Sequence, residues 1–314
     1  MAALTPYLRE GFIRMSPWTK VLLLAAIWLV FLLVGTIFAA ILAMPLFGLT
    51  MGGVYEALGN PDEGSIGVLK YFQIIQTVFM FLAPAVVAAW LYSDDMQDYL
   101  SLKRKPALLT LLLSAITLAL SIPLMNLVTE LNASMQLPMA MQGIESRIRA
   151  MEEAAGKLTE LFLVDHGLGG LAVNLLMIAI LPAISEEILF RGVIQRLFTD
   201  MTRNRHLGIW IAAFVFSFIH FQFYGFLPRF MLGIFFGYLL MWSGSIWVPV
   251  TAHLANNGIA VLYYHFNPGT MGESQLDKLG TEVGGHALIY MSVFLTALTI
   301  GVIYAREREK RSVV

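Results

Sequence analysis

Three groups of polar residues interrupt the apolar runs of this chain at positions where a membrane helix has no structural need of them. The first is Glu186-Glu187 with Arg191, at the end of an apolar run that begins near Gly169. The second is Phe216-Ser-Phe-Ile-His220, and the third is His253-Leu-Ala-Asn-Asn257. A charge at the bilayer centre costs about 2.5–3.5 kcal/mol even on the lenient insertion scale, and the first group carries three. Glu187 and Arg191 are four apart with the acid first, so they pair across one helical turn. Glu186 lies about 100° further round and has no such local partner. A carboxylate without a counter-ion in a low-dielectric setting holds a proton more readily, which is the tuning a general base needs. The plainer reading is a helix end that has reached the interface, where Glu and Arg meet water.

The two histidines weigh against that plainer reading. A lone histidine in a membrane is more often a helix–helix hydrogen-bond donor than a ligand. Here His220 and His253 fall deep in separate helices, each on one face with a partner four residues away: Phe216 for His220 and Asn257 for His253. Glu186, His220, His253 and Asn257 together supply a base, two imidazoles and an amide donor. Such a set can activate a water molecule and stabilise an oxyanion. By spacing, Glu186, His220 and His253 also allow a zinc ion with an open fourth position. His166, His206, His265 and His286 lie at helix ends or in loops and read as interfacial polar residues. The sequence has no H-E-x-x-H for a zinc hydrolase, no Gly-x-Ser-Gly and no Gly-x-Gly-Asp.

The elements that must position these residues are membrane helices. Hydrophobic residues make up 58% of the 314 and charged ones 13%, against about 25% charged in a soluble domain. With no cysteine, a cysteine nucleophile, thiolate metal sites and disulfides are excluded. Eight spans are expected, at about 21–46, 69–92, 107–128, 169–190, 207–223, 226–242, 246–266 and 286–305. The first is too long for a signal-peptide core and reads as a retained helix. Pro182, one turn before Glu186, removes the donor for the carbonyl of Ile178. The pattern predicts an all-α membrane protein, a single polytopic unit over 1–314 whose helices enclose a polar intramembrane cavity. No nucleic-acid partner is implied.

Orientation follows from the lysine and arginine census. The leader, the second loop, the loop after the fourth helix and the tail hold thirteen. The opposite side holds four, Arg147, Arg149, Lys157 and Lys278. Both termini are therefore expected in the cytoplasm, and eight spans agree. The long connection 129–168 contains an amphipathic helix, with Ile144, Ile148, Met151, Ala155, Leu158 and Phe162 on one face. It reads as a helix on the far membrane surface, or as a lid over a cavity. One difficulty is depth. His253 comes roughly 10 Å into its helix and His220 roughly 20 Å into its own, so they meet only if the fifth helix begins beyond this estimate or is displaced toward the cytoplasm.

The order Glu186-Glu187…Arg191, Phe216…His220, His253…Asn257, with the link Gly233-Ile-Phe-Phe-Gly237 through Gly244-Ser-Ile-Trp-Val-Pro249, resembles the CAAX-protease and bacteriocin-processing family of intramembrane endopeptidases. The likeness covers about residues 169–265, the expected catalytic core. It implies about eight helices around a conical cavity open to cytosol and membrane. It also implies a glutamate, Glu186, that activates water with help from His220, with His253 and Asn257 holding the oxyanion. Arg191 would orient Glu187, and Phe216 would hold the second motif in place. Metal-free activation is the favoured reading, and a divalent metal such as zinc stays open. The implied partner is a membrane-associated protein or peptide, and a bacterial inner membrane suits the chain. Two other classes fit a polar membrane bundle: an ion-coupled transporter, and a non-catalytic scaffold. A carrier built from repeats would show counterparts of these motifs in the first half, and none is there. A scaffold has no use for an unpaired Glu186.

Overall fold

The protein is described by a computed structural model over residues 5–271 and 274–312. The first four residues of the leader, two residues of the loop before the last helix and the last two of the basic tail lie outside the described residues. Among the described residues the structure is helical, with no strand. Nine helices matter here: α1 (Pro17–Phe47), α2 (Glu63–Tyr92), α3 (Leu108–Ala133), α4 (Gln142–Leu163), α5 (Leu168–Thr202), α6 (Arg205–Phe218), α7 (Phe226–Ser243), α8 (Trp247–Phe266) and α9 (His286–Ser312). Six of them are long and apolar enough to cross a membrane: α1, α2, α3, α5, α7 and α9. The other two expected spans exist as helices but fall outside that group. Helix α6 has only 14 residues, and the 20 residues of α8 include Thr251, His253, Asn256, Asn257 and His265.

Local chemistry sets the ends. Ser16 caps α1 by accepting from the backbone N–H of Thr19, and Pro17 starts the helix where its missing N–H is no loss. Helix α7 stops at Gly244, whose φ of 66° favours glycine. A Cβ there would also fall 2.7 Å from Nη1 of Arg104, because loop 100–105 docks on this turn. Ile246 N–H donates to Ser101 O, and Trp247 Nε1 donates to Leu102 O at 3.0 Å.

Helix α5 differs most from the sequence reading. It was expected to stop near Phe190 but runs on to Thr202, so Arg196 lies within it rather than in a loop. The apolar signal fades there because Gln195, Arg196 and Asp200 are polar, while Leu197 stays buried against the bundle. Only Arg203 and Asn204 separate α5 from α6, and the Asn204 side chain caps α6. Pro182 sits inside α5, and the preceding turn, Leu175–Ile180, widens to π geometry. A second π stretch, Ile188–Ile194, follows the two glutamates. Such bulges rotate side chains away from regular helical register.

Helices α6 and α7 form a close hairpin. A Cβ at Gly233 would lie 2.9 Å from the Ala213 Cβ, and one at Gly237 would lie 2.7 Å from Ile209. Glycine lets the two backbones approach. The tip of the hairpin, 219–225, is tied down from two sides. Asn132 on α3 donates to Phe223 O and accepts from Leu227 N–H. From α4, Glu152 accepts from Tyr224 N–H at 3.0 Å and Glu145 accepts from the Tyr224 hydroxyl at 2.9 Å. The amphipathic α4 is thus packed onto the bundle by Leu158, Leu161 and Phe162, and its carboxylates reach the turn that follows His220.

Candidate active site

Glu187 is fully buried, and its Oε1 takes two donors. Arg191 Nη1 donates at 2.8 Å, and His253 Nδ1 stands at 2.8 Å. Arg191 also donates to Gly233 O at 3.2 Å, a carbonyl made reachable by the close α7 backbone. Its guanidinium lies 4.5 Å from the Phe216 ring centroid and 5.2 Å from that of Phe236. Phe216 in turn meets Phe190, His220 and His253 edge-on. Glu187, Arg191, His253, Phe216 and His220 therefore form one continuous packed unit.

The tautomers follow from the partners. Phe216 O can only accept, so the 2.7 Å contact from His220 puts the proton on Nδ1 and leaves Nε2 with its lone pair. The Glu187 carboxylate fixes a proton on His253 Nδ1 in the same way. His253 also stacks on Phe236, with ring centroids 5.2 Å apart and planes at 19°, so its Nε2 direction is set.

Glu186 behaves differently from its neighbour. It is 8% exposed and makes no side-chain hydrogen bond or ion pair among the described residues. It lies within electrostatic range of His253, Glu187, Arg191 and Arg229. Asn257, one turn beyond His253, donates through Nδ2 to Ile178 O at 2.9 Å. That carbonyl is the one whose helical donor Pro182 removes. The amide of Asn257 therefore has one N–H occupied and one left over.

Depth is reconciled by the length of α5. Glu187 lies about 22 Å back from Thr202 along α5, and His220, expected deep in a helix, stands in the turn two residues past Phe218, the end of α6, which is about 20 Å on from Arg205. His253 is only about 9 Å into α8 and still touches Glu187, so the α5–α6 turn projects past the start of α8.

Clefts lie around this unit. One of about 280 Å³ is lined by Tyr99, Arg191, Gln195 and Arg205. An apolar groove of about 210 Å³ is lined by Leu24, Trp28, Phe190 and Ile219, the residue before His220. Neither of these two clefts is lined by Glu186, His220, His253 or Asn257. Among the described residues no three His, Asp or Glu side chains are grouped to hold a metal ion. The Nδ1 atoms of both histidines are committed to Phe216 O and Glu187, which leaves the Nε2 atom of each to face the site.

Three features lie outside the sequence reading. Phe236 and the Gly233 carbonyl become neighbours of Arg191 only through the α6–α7 hairpin. Arg229 faces Glu186 and His220 electrostatically; an arginine inside an apolar run was its available signal. His265, read as interfacial, is buried, with Nδ1 lacking a partner among the described residues.

Residues 168–259 match the family model of the Rce1-like type II CAAX prenyl endopeptidases. A stretch of 97 residues, 30% of this chain, is 28% identical to the uncharacterized protein YpbD of Bacillus subtilis (strain 168). That stretch spans about half of YpbD's own length, 47%. No solved structure matches the chain. The matched segment runs from the start of α5 to two residues past Asn257, and so contains the whole packed unit. Residues 168–259 of this membrane protein therefore carry the Rce1-like type II CAAX prenyl endopeptidase domain that the family model describes.

Proposed function

We propose that the protein is an intramembrane endopeptidase that cleaves a membrane-associated protein or peptide with water activated by Glu186. The observation that carries this reading is the contrast between adjacent carboxylates. Glu187 is bound on Oε1 by Arg191 and His253, whereas Glu186 has no hydrogen-bond partner among the described residues. A carboxylate left unpaired beside a paired one is available for proton transfer.

In this scheme a water between Glu186 and His220 donates one hydrogen bond to His220 Nε2. It gives its other proton to Glu186 as its oxygen attacks the scissile carbonyl carbon. The carbonyl π electrons move to oxygen, and the oxyanion is met by the free N–H of Asn257 and by His253. For His253 to donate, its Nε2 must also carry a proton, and Glu187 stabilises the resulting imidazolium. The intermediate collapses as the C–N bond breaks. Glu186 passes its proton to the departing nitrogen, and the attacking oxygen keeps its own, leaving a new carboxylic acid and a new amine. Phe216 and Arg191 hold His220, His253 and Glu187 in register.

The site must open for a peptide to enter, and the tethered hairpin tip is the element nearest His220. The charge census orients the bundle with both termini in the cytoplasm, and a bacterial inner membrane fits it. The test is direct. Purified protein in liposomes is incubated with a library of apolar peptides, and products are read by mass spectrometry. New termini produced by the wild type support the reading. No cleavage of any peptide, by protein shown to be folded, would sink it.

A further inference from the structure

Arg229 sits in the first turn of α7, at the hairpin tip that carries His220. Its guanidinium rests on Gly225: a Cβ there would fall 2.0 Å from Nη2 and 2.9 Å from Cζ, so a larger residue would displace it. Nη2 donates to Gln222 Oε1. Nη1 is buried and has no acceptor among the described residues. No carboxylate there comes within ion-pairing distance, and Glu186 and Glu152 reach Arg229 only at longer range.

A buried N–H of a charged group without an acceptor is costly, and proteins fill such positions with water or a ligand oxygen. Arginine's planar fork suits a carboxylate, which accepts from both of its terminal nitrogens. The transient oxyanion of hydrolysis already has Asn257 and His253. A permanent cation near the reacting bond is better matched by a permanent anion. Three groups reach it electrostatically: Glu186 from α5, His220 from the turn after α6, and Glu152 from α4.

We propose that Arg229, seated on Gly225 and steadied by Gln222, forms a subsite for a carboxylate of the peptide substrate close to the bond being cleaved. This rests on the endopeptidase reading. The carboxylate is either the peptide's own C-terminus or an Asp or Glu side chain. The neighbouring Glu186 and Glu152 keep Arg229 from binding anions in general, so affinity depends on a peptide that also fills the apolar surroundings.

Binding separates the subsite from the chemistry. The full chain in lipid nanodiscs is titrated with three fluorescent apolar pentapeptides: one ending in a free carboxylate, one amidated, and one amidated with a glutamate side chain. At least one carboxylate form is expected to bind about tenfold or more tighter than the neutral amide. Which form it is identifies the source. Arg229→Gln should abolish the difference and leave the neutral peptide's affinity unchanged. Gly225→Ala, which displaces the guanidinium and keeps its charge, should reduce it. Equal affinities for all three peptides in the wild type would overturn the proposal. So would discrimination surviving in Arg229→Gln protein that melts like the wild type. Absence of hydrolysis in the same preparation would count against the endopeptidase reading and leave the subsite intact.

Discussion

Replacing Arg191 with alanine should be among the most destabilising single changes in the bundle. It removes the 2.8 Å ion pair to Glu187 and the bond to Gly233 O. It also removes the cation from between Phe216 and Phe236. Glu187 would remain fully buried, with His253 its one partner on Oε1 and none on Oε2. Stranding one member of a buried pair costs about 3–5 kcal/mol, most of it the uncompensated charge. The double change Glu187→Gln with Arg191→Met replaces the charge and keeps the volume, so it should recover much of the loss. Reversible denaturant unfolding in mixed micelles gives the three free energies. Arg191→Ala within about 1 kcal/mol of the wild type, against the 3–5 expected, would refute the argument that this pair organises the site.

Two further expectations follow from single contacts. Asn257→Ala removes the side-chain donor to Ile178 O and the proposed oxyanion donor, so cleavage should fall by about 10²–10³. A steady-state assay beside a melting curve separates that loss from the modest stability change of one lost hydrogen bond. Glu145 on α4 accepts from Leu137 N–H, Arg149 and the Tyr224 hydroxyl, which hold its carboxyl below the ordinary 4.5. A depressed carboxylate stabilises fully above its ordinary value, and that contribution is lost as pH falls through the lowered one. The melting-temperature gap between wild type and Glu145→Gln should therefore be present at neutral pH and close in acid below that value. A gap that persists there would remove Glu145 from the tether.

Much of this architecture is legible residue by residue. Apolar runs mark the long helices because lipid leaves them no other way to satisfy their backbone. Pro182 announces a free carbonyl at Ile178, and the Glu187–Arg191 spacing announces a pair. What the sequence hides is long-range or amphipathic. The last turns of α5 bury Leu197 but expose enough polar groups to erase the hydropathy signal. The bonds from Glu145 and Glu152 to Tyr224 join residues more than 70 positions apart. The seat of Arg229 depends on Gly225, which reads as an ordinary turn residue until the hairpin is built. The stacking of His253 on Phe236 has no local signature at all.

The central claim is that Glu186 activates water for peptide hydrolysis while Glu187 holds the framework. Cleavage in ¹⁸O-labelled water, by wild type and Glu186→Gln protein side by side, tests it most directly. The glutamine variant keeps size and fold and removes the base. The expected result is one labelled oxygen in the new carboxyl terminus made by the wild type. Glu186→Gln should make no product while melting within a few degrees of the wild type. Undiminished cleavage by folded Glu186→Gln protein would contradict the account.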